Sequence, residues 1–309
     1  MEIIKTLFLG SGWESVETLK TLHIDPRYEI VGVITTTDKP VGRKQVLTPS
    51  EVKQYALEND IEVFHTENKS EKYQEALDIF QPELVVCKAF GEIVPEFFLE
   101  YPKYKSINIH FSLLPKYRGA VPIQMAILNG DRKTGISIML MSKGLDEGDV
   151  LEMFEEEILP KDTNQSLRER LVKKSSIILG DVLERWIKGE IKPKKQDSSK
   201  ATFCWQKDIS KEKAEINWVN MEPKYIERMV RAFIPWPIAW TYWNGKRIKL
   251  FDVDVVNYKG KEPGELFSED GKLFFSTKYP DVCIKVNELQ LEGKNKMNDI
   301  EFTNLMKNL

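Results

Sequence analysis

Apolar runs and amphipathic runs take turns along the first two-thirds of the chain. Residues 3–10, IIKTLFLG, are a short apolar run ending in the turn Gly10-Ser11-Gly12, and residues 13–22 then carry apolar positions at helical spacing. The same pair of patterns recurs. Strand-like runs cover 28–36, 61–66, 82–89 and 106–111, and helix-like runs cover 49–60 and 70–80. A helix over 122–130 is opened by Pro122 and closed by Gly130. Two further strands, 134–141 and 149–158, flank the acidic turn SKGLDEGD. A longer helix follows, with Asp162 or Thr163 as its cap and Gly189 as its end, and with an apolar stripe through Leu167, Leu171, Ile178, Val182 and Trp186. This alternation predicts an α/β domain of Rossmann-like type, an open and mostly parallel sheet with helices on both faces.

Beyond residue 205 the pattern changes. One helix, MEPKYIERMVRAF, precedes PWPIAWTYW, and short alternating strands separated by turns fill the remainder. That predicts a smaller C-terminal β-barrel domain, OB-like in kind. The expected organisation is therefore 1–189, a basic linker at 190–205, and 206–309.

Composition narrows the function classes. The 309 residues are 41% hydrophobic and 30% charged, with a net charge of −3. No apolar run approaches the roughly 18 residues that a membrane span needs. The opening segment leads straight into a strand rather than a secretory leader, so the expected location is cytoplasmic. Three scattered cysteines, Cys87, Cys204 and Cys283, suggest neither a disulfide framework nor a zinc site, and no metal is expected.

Three local features carry candidate chemistry. The Gly10-Ser11-Gly12 turn has Ser15 where a dinucleotide fingerprint needs a third glycine or alanine, so it reads as an ordinary strand-to-helix junction. The cluster Asp146, Glu147 and Asp149 lacks the spacing of a calcium loop. The strand SINIHF is the informative one. Alternation puts Asn108, His110 and Ser112 on one face and Ile107, Ile109 and Phe111 on the other, at the carboxyl end where open α/β sheets bind ligands. An amide that donates to a developing oxyanion, an imidazole that moves a proton and a carboxylate from the GLDEGD turn suit acyl transfer to an amine. The residues themselves reach a reaction class and stop there.

The segment INIHFSLLPKYRGAVPIQMAILNGDRKTGISIMLMSKGLDEGDVL resembles the core of the 10-formyltetrahydrofolate-dependent formyltransferases: an Asn-x-His strand, Ser-Leu-Leu-Pro, Arg-Gly, then Leu-Asp-x-Gly-Asp. The resemblance implies Asn108, His110 and Asp146 as a catalytic trio, with 10-formyltetrahydrofolate as formyl donor. It implies a folate site made by Ser112, Leu113, Leu114 and Pro115 together with Phe90, Gly91 and Ile93 of AFGEIVP. The family usually has Gly at Phe111 and Tyr at Phe90. Phe111, on the face opposite His110, touches packing rather than chemistry.

The likeness extends over nearly the whole chain and is greatest to members whose acceptor is the α-amine of initiator methionyl-tRNA. It implies direct attack of that amine on the formyl carbon, with Asn108 and protonated His110 stabilising the oxyanion and Asp146 holding His110. The order in which groups take the amine proton stays open. DKPVGRKQVLTPSEVK resembles a loop that engages the tRNA acceptor end, with Arg43 as the contact, and RAFIPWPIAW resembles the start of a second tRNA-contacting surface. Lys192, Lys194 and Lys195 are candidates for a basic wall beside the RNA, and a monomer is expected. Other acceptors with the same chemistry are an amino-sugar nucleotide or water. A non-catalytic RNA- or nucleotide-binding protein is the rival of another class, and it predicts indifference to His110→Ala.

Overall fold

The computed structural model describes residues 2–42 and 44–307; Arg43 lies outside the described residues. Two compact units divide the chain. One contains residues up to Arg118 together with 135–156 and 169–203, and the other contains 119–134, 157–168 and the chain from Cys204 onward.

The first unit is built on a twisted α/β sheet. In chain order come β1 (Ile4–Gly10), α1 (Trp13–His23), β2 (Tyr28–Ile34), a hairpin of β3 (Lys39–Val41) and β4 (Val46–Thr48), and α2 (Glu51–Glu58). Then follow β5 (Val63–Phe64), α3 (Ser70–Phe80), β6 (Leu84–Lys88), α4 (Glu96–Glu100), β7 (Ser106–His110), the two-residue β8 (Arg118–Gly119) and α5 (Pro122–Asn129). Next are β9 (Lys133–Leu140), β10 (Val150–Glu157) and α6 (Asn164–Ile187). Seven strands form one sheet in the order β10-β9-β7-β6-β1-β2-β5. Pairing is parallel from β5 through β7 and antiparallel between β7 and β9, so the expected mostly parallel sheet is present.

The local reasons are visible. α2 starts where the Ser50 hydroxyl accepts the Lys53 amide at 3.1 Å, a cap worth about 1 kcal/mol. α5 begins at Pro122 and stops at Gly130, which sits at φ +76 where only glycine is free of strain. Packed against β1, β2 and β6, α3 contributes Tyr73, Ala76, Leu77 and Phe80 to a core that also holds Leu7, Leu9, Ile34, Val85 and Cys87. Burying each of the larger side chains there stabilises the fold by about 1.5–3 kcal/mol.

In the second unit, the two-residue β11 (Phe203–Cys204) leads to α7 (Pro223–Ala232) and the strands β12 (Trp240–Trp243), β13 (Lys246–Asn257), β14 (Leu266–Glu269), β15 (Lys272–Ser276), β16 (Val282–Leu291) and β17 (Lys296–Asn298). The strands order as β12-β13-β16-β15-β14 with β17 on β16, antiparallel throughout, the half-barrel form of the expected barrel-like domain. α7 buries Ile226, Met229 and Val230 at i, i+3 and i+4. Although it falls between β8 and β9 in the chain, α5 belongs to this unit and not to the first: Arg228 of α7 donates to the Leu128 carbonyl at 2.8 Å. Finally, α8 (Asp299–Met306) is opened by a reciprocal pair between Asn298 and Glu301.

Candidate active site

The last strand with a parallel partner, β7, carries the polar stripe. Both faces of β7 are covered, yet it holds Asn108, half-buried, and His110, buried. Asp146 comes from the turn between β9 and β10 and faces both. Its Oδ1 accepts from Asn108 Nδ2 at 3.4 Å, and its Oδ2 lies 3.5 Å from His110 Nδ1. The three residues expected to act together are thus brought together.

The turn that delivers Asp146 is set by its backbone. Asp146 takes a left-handed φ of 46°, which Asp tolerates better than most residues. Two residues on, Gly148 has no room for a side chain, because a Cβ there would lie 1.9 Å from the Leu140 carbonyl oxygen. That close approach accounts for the glycine in Leu-Asp-x-Gly-Asp.

The imidazole is tied by its other nitrogen. His110 Nε2 lies 2.9 Å from the Tyr117 carbonyl oxygen, which can only accept, so Nε2 carries the proton. Nδ1 is left as the nitrogen that faces Asp146. Burial pushes the His110 pKa below the usual histidine value; Asp146 and the Tyr117 bond act in the opposite direction, and Lys88 adds to the lowering. The ring is thus pulled both ways, by burial toward the neutral form and by the facing Asp146 carboxylate toward the protonated one.

Tyr117 itself is held by the stretch around residue 202. Its amide donates to Thr202 Oγ1 at 2.8 Å, the Arg118 amide donates to the Thr202 carbonyl, and the Thr202 amide donates to Pro115. The Ser-Leu-Leu-Pro turn is locked from inside. Ser112 Oγ donates to Lys116 O at 2.6 Å, and Ser137 Oγ bridges the Ser112 carbonyl and the Leu114 amide.

The expected folate residues split into two groups. Ser112, Leu114 and Phe90 are buried: the Ser112 hydroxyl is spent on its own turn, Leu114 packs on Met139 and Val150, and Phe90 is part of the sheet core. Leu113 and Pro115 are half-buried, while Gly91 and Ile93 are exposed, the latter 87%. Glu92 ties this second loop to its neighbour, accepting from Thr66 Oγ1 at 2.6 Å, the Asn68 amide at 3.0 Å and Tyr73 Oη at 3.3 Å.

Lys88 was not anticipated, although a lysine ending the apolar run LVVC was a visible signal. Its ammonium is buried, donates to the Ile109 carbonyl at 3.0 Å, sits 3.0 Å from the centre of the Phe111 ring and lies 3.9 Å from Glu14. Phe111 thus does touch packing, as expected, by lying over a cation.

Lys192, Lys194 and Lys195 are exposed, but the stretch around them is not a loose linker. Lys194 forms a two-bond backbone bridge with Val150, and Gln196 is buried. A cavity of about 460 Å3 lies against Gly148, Asp149, Lys195 and Gln196, and neither Asn108 nor His110 lines it. Among the described residues no helix is long and apolar enough to cross a membrane, and no group of three or more acids, histidines and cysteines is placed to hold a metal.

Against known proteins, the formyl transferase family pattern matches residues 5–183, and that for the formyl transferase C-terminal domain matches 208–307. A methionyl-tRNA formyltransferase of Halalkalibacterium halodurans is 40% identical, covering 95% of this chain and 92% of its own. One from Bacillus licheniformis is 38% identical over 96% and 94%. Among solved structures, the sugar 3N-formyl transferase WlaRD, crystallised with dTDP and 5-N-formyl-THF, superposes with a TM-score of 0.67 at 22% identity, covering 96% of this chain and all of that one. HypX from Aquifex aeolicus with tetrahydrofolic acid gives 0.64 at 17% identity, over 97% of this chain and 47% of that one. These two share the fold.

Proposed function

The chain belongs to the formyl transferase family, and from that premise we propose that it transfers the formyl group of 10-formyltetrahydrofolate to the α-amine of methionyl-tRNA. Full-length relatives at about 40% identity support this acceptor, and the convergence of Asn108 and His110 on the two carboxylate oxygens of Asp146 supports the chemistry.

The donor group fits the residues present. The formyl oxygen needs a hydrogen-bond donor, and Asn108 Nδ2 offers one. The attacking amine needs a proton acceptor, and Nδ1 is the nitrogen of His110 that can serve, since Nε2 holds its proton on the Tyr117 carbonyl. The amine proton goes first to Nδ1. The resulting imidazolium is favoured by the Asp146 carboxylate and by the Tyr117 carbonyl; it supports the charge on the formyl oxygen by a hydrogen bond and then gives its proton to the folate nitrogen as the formyl C–N bond to that nitrogen breaks and tetrahydrofolate leaves. The contacts of 3.4–3.5 Å are long for finished hydrogen bonds and suit groups that tighten once substrate is bound.

In this reading Leu113, Pro115, Gly91 and Ile93 touch the folate, while Ser112, Leu114 and Phe90 shape its walls from behind. Residues 1–189 form the catalytic domain, 190–205 the connection and 206–309 the second RNA-contacting part. Lys192, Lys194 and Lys195, with Arg43, meet the RNA backbone of initiator tRNA, and the protein works in the cytoplasm as a monomer.

The test is formyl transfer from 10-formyltetrahydrofolate to charged initiator methionyl-tRNA, with His110→Ala alongside. Loss of the base lowers turnover by about 10²–10⁴-fold. Wild-type release of tetrahydrofolate only with an amino-sugar nucleotide, or with water alone, replaces the acceptor and keeps the trio. A mutant as active as the wild type removes the trio.

A further inference from the structure

Gln196 belongs to none of the family motifs and lies in the stretch expected to be a solvated connection, yet it is buried and uses its whole amide. Its Nε2 donates to the Asp146 carbonyl at 2.8 Å and the Gly148 carbonyl at 2.7 Å. Its Oε1 accepts from Arg118 Nε at 3.1 Å and Nη2 at 2.9 Å. This orientation is chemically forced: the reverse would set an oxygen against two carbonyls and an NH2 against a guanidinium.

The two partners come from the two motifs. Arg118 is the arginine of Arg-Gly, 3% exposed, and directly follows Tyr117, whose carbonyl holds His110 Nε2. Asp146 and Gly148 belong to Leu-Asp-x-Gly-Asp, where a left-handed residue precedes a glycine pressed on the Leu140 carbonyl. One side chain therefore joins the backbone that fixes His110 to the backbone that aims Asp146. The bridge between Lys194 and Val150 holds Gln196 in register with the strand that leaves this turn.

We infer that Gln196, braced by Arg118, is a positioning residue for the formyl transfer: it fixes the carbonyls of 146 and 148 so that the Asp146 carboxylate stays opposed to His110 and Asn108. The inference rests on the trio having the roles given above. Around the imidazole the charged and polar groups are Asp146 from the turn, Lys88 from β6 with Glu14 of α1 beside it, and the Tyr117 carbonyl. Asp146 is the one among them that Gln196 controls, and its carboxylate favours the protonated ring.

Gln196→Glu separates positioning from packing. Glutamate keeps an acceptor for Arg118 but has no N–H for the two carbonyls. We expect kcat per folded molecule to fall about 10–100-fold and both KM values to stay within about 2-fold, while the oxygen now set against the two carbonyls lowers the melting midpoint. In Gln196→Met, which abandons Arg118 and brings no charge, the acid limb of kcat/KM should shift to lower pH by about 0.5 unit, since the imidazole loses part of its carboxylate support. Loss of activity that tracks melting in both variants, with the acid limb unmoved, reduces Gln196 to packing and overturns the inference. So does unchanged kcat in Gln196→Glu while His110→Ala collapses. Full activity in His110→Ala overturns the trio, and this inference with it.

Discussion

Two strands of the same sheet end at the same edge and leave it in opposite ways. At the exit of β1, Ser15 Oγ donates to the Lys88 carbonyl at 2.6 Å and accepts from the Ser11 amide at 3.3 Å. Gly10 beneath it has no space for a Cβ, which would stand 2.6 Å from the Ser15 Cβ. That junction is closed on itself. At the exit of β7, Asn108 and His110 face one carboxylate at 3.4 and 3.5 Å, and only the Nε2 bond is short. At the first exit one hydroxyl spends both its donor and its acceptor on backbone; at the second an amide and an imidazole turn toward one carboxylate. A polar residue at a strand exit gains chemistry when it faces other side chains rather than its own backbone.

Asn108→Ala tests the open exit most severely. Removing the donor to the formyl oxygen should lower kcat by about 10²–10³-fold with little loss of stability, checked by single-turnover transfer beside thermal melting. Ser15→Ala should do the reverse. It removes the donor to a buried carbonyl and lowers unfolding free energy by about 1–3 kcal/mol in urea titrations, while kcat per folded molecule holds. If Ser15→Ala loses catalysis without stability, the contrast between the two exits fails. The smallest effect is expected at Lys88, which belongs to both exits. Its cation disfavours a protonated His110, so Lys88→Met should raise the imidazole pKa and move the acid limb of kcat/KM to higher pH by several tenths of a unit, with activity at the optimum within about 3-fold. A shift downward would mean that the limb does not report His110.

Much of this was legible in the sequence because it is periodic or local. The alternation of β1, β2, β5, β6, β7, β9 and β10 with helices followed from apolar spacing, and α7 was expected as a helix. The stripe on β7 was legible because a polar alternation inside a covered strand needs a reason. What escaped has no period. The β3–β4 hairpin is five exposed residues and one half-buried one, with no apolar pattern to reveal it. Gln196 is a single amide in a polar stretch, and its importance comes from carbonyls 48 and 50 residues away. Phe90 read as a pocket residue from its motif, whereas its ring faces the core, since motif spacing locates a loop without fixing which way a side chain turns.

The group that decides which nitrogen of His110 reacts is the carbonyl of Tyr117, a residue at φ 57. A carbonyl is common to all twenty amino acids, so the tautomer of the reacting imidazole is independent of the side chain at position 117. A saturation library there would sort variants by how well they tolerate the left-handed turn, with Gly, Asn and Asp the mildest. None of them would exchange the roles of the two ring nitrogens. The chemistry is insulated from mutation at the residue that governs it, and its evolutionary weak points lie elsewhere, in whatever holds that turn in place.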